Sequence, residues 1–177
     1  MEIRRLDHPP LQAHHDVESF NCGVESLNSF LAHHALTAPR HGLSQTWVSV
    51  TDAGRIVAYH TLSIATVTRA EATPRLAKGM PNYDIPCVLL ARLAVDRSMQ
   101  GQGLGAMVLE AAMRKALALG HRPKLADGTP GLPVRALIVH ALDAKAAGFY
   151  RHYGFEAFAT EPLHLLMLLK DLALSLS

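Results

Sequence analysis

Cysteine is scarce. The chain has only two, Cys22 and Cys87, far apart and without metal-ligand spacing. With no export signal in view they read as reduced, buried thiols rather than a disulfide. Long apolar runs are missing too, and none reaches the roughly 18 residues that cross a bilayer. The opening Met1-Glu2-Ile3-Arg4-Arg5 leads into polar sequence and lacks the apolar centre of a secretory signal, so the cytoplasm is the expected compartment. Charge is sparse at 18%, against 49% hydrophobic residues, which excludes a disordered chain. A net charge of +2 permits a polyanionic partner without demanding one. The 11 histidines include the adjacent pairs His14-His15 and His33-His34 but offer no helical i, i+4 pair. They are expected as solvated surface groups, and no metal is expected.

What is present reads as a single domain over residues 1–177, long enough to bury a full core. Ile3 to Leu6 is a short first strand. Asn21-Cys22-Gly23 is a turn, after which Val24, Leu27 and Leu31 repeat at helical spacing to about Leu36. Ser44 to Thr51 and Arg55 to Val67 are strands joined by the tight turn Asp52-Ala53-Gly54, and are therefore antiparallel. A proline-rich stretch follows, with one short helix near Leu76. Cys87 to Asp96 is a near-continuous apolar run, as in a central strand. A helix runs from Gly103 to about Gly120, its expected C-cap, with Leu104, Met107, Val108, Ala111 and Ala118 as the apolar stripe. After a polar connection from His121 to Pro133, Val134 to Ala141 is another buried strand. Asp143 caps a helix to about Tyr153, which Gly154 ends, and Phe155 to Phe158 and His164 to Leu169 are the last strands. The order predicts an α/β (α+β) fold with a mixed, mostly antiparallel central sheet flanked by helices.

The chemistry centres on Gln100-Gly101-Gln102-Gly103-Leu104-Gly105, between a buried strand and an amphipathic helix. Glycines there let successive backbone N–H groups converge, and the helix N-terminus adds positive potential, which together make a pyrophosphate site without lysine. A P-loop is excluded by the missing Gly-Lys-Ser/Thr. The dinucleotide pattern is matched only superficially. Asp96 to Gln100 intervene after the strand, and no acidic residue stands about 20 positions on. Coenzyme A remains.

Leu93-Ala94-Val95-Asp96 followed by Gln100 to Gly105 resembles the acetyl-CoA signature of the GNAT acetyltransferases. Ala146-Ala147-Gly148-Phe149-Tyr150-Arg151-His152-Tyr153-Gly154-Phe155 is similar to the same family's second landmark. The resemblance implies pantetheine contacts at Leu93, Ala94 and Val95. It implies pyrophosphate binding at Gln100, Gly101, Gln102, Gly103, Leu104 and Gly105, and a tyrosine beside the departing sulfur at Tyr150. Phe20 to Leu31, Leu90 to Asp96 and Val139 to Asp143 look like one branch, the acetyltransferase toxins of toxin–antitoxin pairs. For that branch the acceptor would be the α-amino group of aminoacyl-tRNA. The partner would be a ribbon-helix-helix antitoxin, and the toxin a homodimer. A protein N-terminus or a small amine as acceptor, and a non-catalytic acyl-CoA-binding regulator, are the alternatives.

Tyr150 is the expected general acid, because a phenol near pKa 10 suits donation to a leaving thiolate. A backbone N–H near Leu93 or Ala94 is the natural oxyanion donor. The central strand carries no glutamate base. At pH 7 an α-amine of pKa about 7.8 is neutral roughly one time in seven, whereas a lysine is neutral only about once in 2,500. The missing base therefore favours an α-amino acceptor. Arg92 on the strand, with Arg40, Arg75 and Lys78 on neighbouring segments, is expected to meet the substrate; His41 and Arg69 border the same side.

Overall fold

The computed structural model describes residues 8–42, 44–120 and 134–177. The first strand expected at Ile3 to Leu6 and the connection from His121 to Pro133 lie outside the described residues. Six strands form one sheet in the order β1-β2-β3-β4-β6-β5. They are β1 (Gln45–Val50), β2 (Ile56–Val67), β3 (Ile85–Val95), β4 (Ala136–His140), β5 (Glu156–Ala157) and β6 (His164–Leu168). The helices are α1 (Glu25–His33), α2 (Pro74–Ala77), α3 (Leu104–Gly120), α4 (Ala144–His152) and α5 (Leu169–Ser175). No helix among the described residues is long and apolar enough to cross a membrane. The residues cluster into two compact units, 1–63 with 91–112, and 64–90 with 113–177.

In the first unit β1 and β2 pair antiparallel, with Gln45 opposite Leu62 and a bulge between Ser49 and Val50. Chain before β1 joins this strand, since Leu11 N–H donates to Thr46 O and Val48 N–H to Pro9 O. β2 is buried at every position from Ile56 to Leu62, which is why its sequence does not alternate. The core gathers Phe20, Phe30, Leu31, Val48, Ile56 and Tyr59. Tyr59 is fully buried and donates its hydroxyl to Leu27 O on α1 at 2.8 Å, which satisfies the one polar atom this ring takes into the core. Asn28 closes the Asn21-Cys22-Gly23 turn by accepting from Cys22 N–H at 2.9 Å and donating to the Asn21 side chain at 3.1 Å. Not every histidine is a surface group: His60 is wholly buried, with Trp47 stacked 5.4 Å from it.

In the second unit β3 pairs parallel with β4 over Val88–Leu90 and Leu137–Val139. β6 then runs antiparallel to both β4 and β5. Leu76, Ile85, Cys87, Ile138, Leu166 and Leu168 are the centre of this core. Thr73 caps α2 by accepting from Leu76 N–H, with Pro74 at the first helical position. Asp143 caps α4 through Ala146 N–H at 2.8 Å. Both cysteines are free and buried, and burial pushes the Cys87 thiol up to about 11.

Three expectations need correction. The buried stripe of α3 is Leu104, Val108, Leu109, Ala112, Met113 and Ala116, while Ala118 faces solvent. The bulkier Leu109 and Met113 claim the inner face and turn the stripe away from Ala118. Gly120 is the last residue of α3 and not a left-handed cap. Its requirement is contact, because a Cβ there would run into Leu169 Cδ1 and stand 3.1 Å from Val134 Cγ2. The chain also ends in a helix, α5, where no element was expected beyond Leu169.

Candidate functional site

The glycine turn is built by the residues that precede it. Asp96 is 3% exposed. Its carboxylate accepts from Ser98 Oγ at 2.6 Å, from Ser98 N–H at 3.0 Å and from Asn21 N–H at 3.0 Å, and it pairs with Arg55 at 2.9 Å. Burial pushes this carboxyl up, but the Ser98 hydroxyl, the two amides and the Arg55 guanidinium outweigh it and hold the group below its usual range. Asp96 thus stays ionised and ties the end of β3 to the Asn21 turn.

Gln100 is held next. Its side-chain amide donates to Cys22 O and to Val95 O, each at 2.9 Å. Gln102 donates to Ser98 O at 3.0 Å. Two side chains expected as ligand contacts therefore grip backbone carbonyls. Gly101 and Gly103 both have positive φ, 75° and 83°, with nothing within 4 Å of where a Cβ would stand. The demand for glycine is the backbone angle itself, not crowding. The 17-residue α3 starts at Leu104, so its first amides and its positive end lie at the same turn. Leu93 and Val95 pack against Val57, Ala58, Met99, Leu104 and Val108, and Ala94 is buried.

Arg92 lies flat on Phe30, its guanidinium carbon 3.6 Å from the ring centroid. With His34, His41, Ser44 and Ser63 it lines a cavity of about 570 Å³. Arg40 is exposed in the 3-10 turn Ala38–His41 beside it. Among the expected cations, Arg92 and His41 thus share one cavity. Arg75 and Lys78 belong to the other unit. There Arg75 is ion-paired with Glu156 and Asp171, which anchors α2 to β5 and α5. Lys78 is exposed. Arg69 donates to Ala77 O at 2.9 Å.

Tyr150 is buried on α4. Although neighbours in sequence, Phe149 and Tyr150 meet edge to face at 5.3 Å, and Phe155 closes the other side at 5.7 Å. Among the described residues its hydroxyl has no hydrogen-bond partner. Burial raises its pKa to about 12.

Asn21, Arg55 and Ser98 escaped the sequence reading as supports of the turn. A stacked pair, His140 on β4 and His164 on β6, left no linear trace at all. No group of three metal-capable side chains occurs among the described residues.

Residues 43–157 match the acetyltransferase (GNAT) domain family. Over 156 residues the chain is 40% identical to a tRNA-acetylating toxin of Mycobacterium tuberculosis, spanning 88% of this chain and 87% of that protein. AtaT complexed with acetyl-methionyl-tRNAfMet has a TM-score of 0.81 at 31% identity, over 98% of this chain and all of that one. A tyrosine-to-phenylalanine mutant of AtaT, bound to the C-terminus of the antitoxin AtaR and to acetyl-CoA, has a TM-score of 0.75 at 30% identity, over 96% of each chain.

Proposed function

Because the chain belongs to the GNAT acetyltransferase family, we propose that it transfers acetyl from acetyl-CoA to the α-amino group of aminoacyl-tRNA. Such a product cannot be elongated as an ordinary aminoacyl-tRNA is, so the protein acts as a cytoplasmic toxin that blocks translation. The observation that carries this reading is the 40% identity to a tRNA-acetylating toxin, which extends beyond the GNAT span at 43–157. A ribbon-helix-helix antitoxin as partner and a homodimer as assembly belong to the same proposal. An antitoxin bound to a similar chain supports the first.

The roles follow from the chemistry of each group. Amides at Gly101 to Gly105 hold the pyrophosphate, in a turn whose angles two glycines alone accept readily. Backbone at Leu93, Ala94 and Val95 pairs with the pantetheine arm, and an amide there stabilises the tetrahedral oxyanion. Tyr150 is the residue that its motif assigns to the departing sulfur. With its pKa near 12 it is fully protonated at physiological pH. Its contribution is a hydrogen bond to the sulfur that strengthens as the C–S bond breaks, with the phenol as the general acid for the thiolate. Arg92 and Arg40 meet the acceptor's phosphates.

The test is incubation of the protein with labelled acetyl-CoA and either charged or uncharged tRNA. Label is expected on charged tRNA alone; equal labelling of the two, or of neither, would refute the reading.

A further inference from the structure

The approach to the glycine turn rests on a second turn, Asn21-Cys22-Gly23, whose first residue stands 75 positions before Asp96. Hydrogen bonds join the two. Asn21 N–H donates to Asp96 Oδ2 at 3.0 Å, Arg97 N–H to Asn21 O at 2.9 Å, and Gln100 Nε2 to Cys22 O at 2.9 Å. The Arg97 side chain lies against Gly23, where a Cβ would stand 2.7 Å from its Nε. All of these residues, and Gly101 to Gly105 after them, belong to the first unit.

The shape of that second turn is set from α1, by the half-buried side chain of Asn28. Asn28 Oδ1 accepts from Cys22 N–H at 2.9 Å and from Cys22 Sγ at 3.2 Å, while its Nδ2 donates to Asn21 Oδ1 at 3.1 Å. Asn21 Oδ1 in turn accepts from Gly23 N–H at 2.9 Å. Cys22 O and Gly23 N–H are the two ends of one planar peptide. The chain of bonds from Asn28 through Asn21 to Gly23 therefore aims the carbonyl that Gln100 uses. The helix is itself anchored beside Asn28, since Tyr59 donates its buried hydroxyl to Leu27 O at 2.8 Å.

We propose that Asn28 is a positioning residue for the acetyl donor, acting through Cys22 O and Gln100 on the glycine turn that carries the pyrophosphate. This rests on the acetyl-CoA site of the reading above. Amides bind an anion well only when they converge on it, and a turn already held in its bound shape loses less conformational entropy when the ligand arrives. Gln100 stands directly before Gly101, the first of the two positive-φ positions. Without an aimed Cys22 carbonyl it keeps only its local bond to Val95 O, and the glycines after it explore more of their wide range. The effect falls on donor binding and leaves the chemistry at the thioester as it was, so it raises KM for acetyl-CoA at constant kcat.

The test is acetyl-CoA affinity by calorimetry, with kcat and KM for both substrates, on Asn28→Ala, Gln100→Leu and the double variant. Each single variant is expected to weaken acetyl-CoA roughly tenfold, with kcat and acceptor KM within about twofold of the parent. The double variant is expected to stay near tenfold, because the two side chains act in series; independent effects would multiply to about 100-fold. A side chain that only supports the fold would lower the thermal midpoint and show no such coupling. If Asn28→Ala does not fold, Asn28→Asp replaces it in the cycle, keeping an acceptor for Cys22 N–H and losing the donor to Asn21. Unchanged acetyl-CoA affinity in the Asn28 variant, or a double variant near 100-fold, overturns the proposal. Parent protein that binds acetyl-CoA yet acetylates no amine overturns the acetyltransferase reading, while the calorimetric cycle still decides the role of Asn28.

Discussion

At the scale of single residues, a side chain's burial decides what it can do. Tyr59 and Tyr150 are both buried, and burial raises both phenols. Tyr59 donates to Leu27 O, whereas Tyr150 keeps its donor available. If Tyr150 acts on the leaving sulfur as proposed, replacing it with Phe is expected to lower kcat roughly 100- to 1,000-fold with acetyl-CoA affinity unchanged. Stopped-assay kinetics with calorimetry check this; a loss confined to affinity would count against the role. Because the phenol titrates near 12, kcat of the unsubstituted protein should show no alkaline limb from Tyr150 up to about pH 10. The burial of Tyr150 on α4 follows from a local helix signal. The Phe30 platform under Arg92 has no such signal, because α1 and β3 lie about 60 residues apart in the chain.

At the scale of elements, strand and helix types were readable because their signals are local: a tight turn for the β1–β2 pair, an apolar run for β3, apolar spacing for α3 and the Asp143 cap for α4. Facing was less readable. The α3 stripe was misassigned because alanine's small side chain gives little preference for inside or outside, so larger neighbours decide. The turn after β3 shows the same division. Its glycines were visible, but the Asp96 anchor depends on Asn21 and Arg55, distant in sequence. Gly101→Ala together with Gly103→Ala forces two positive-φ positions on L-residues at a cost of about 1–2 kcal/mol each. Acetyl-CoA affinity is expected to fall at least tenfold in calorimetry, and full affinity would contradict a main-chain pyrophosphate site. Asp96→Ala leaves the Asn21 and Ser98 amides without their acceptor, and should destabilise the fold by about 3 kcal/mol in denaturant titration. The Asp96 carboxyl is depressed in the folded state, so its contribution is present above the unfolded value near 4 and is lost as pH falls through the folded value. The acid unfolding midpoint of Asp96→Asn should accordingly depend less on pH below 4 than that of the parent.

At the scale of the whole molecule, the fold class and donor were legible from two motifs, and the acceptor only from the resemblance of Phe20 to Leu31, Leu90 to Asp96 and Val139 to Asp143 to one branch. A net charge of +2 is too small to announce a polyanionic substrate, and the cations expected to meet one stand in separate segments. Arg75 shows the difficulty: in sequence it looked like a phosphate ligand, and in the fold Glu156 and Asp171 engage it. Affinity for charged tRNA should fall linearly on a log–log plot against salt, and Arg40→Ala should lessen the slope by about one unit. A slope near zero would remove the phosphate contacts from the account.

The central claim is tested most directly by locating the acetyl group. After reaction with acetyl-CoA and charged tRNA, nuclease digestion and mass spectrometry should recover the 3′-terminal adenosine esterified with an N-acetylated amino acid. Alkaline removal of the amino acid before the reaction should abolish the signal. Acetyl groups found on protein lysines, or on tRNA stripped of its amino acid, would contradict it.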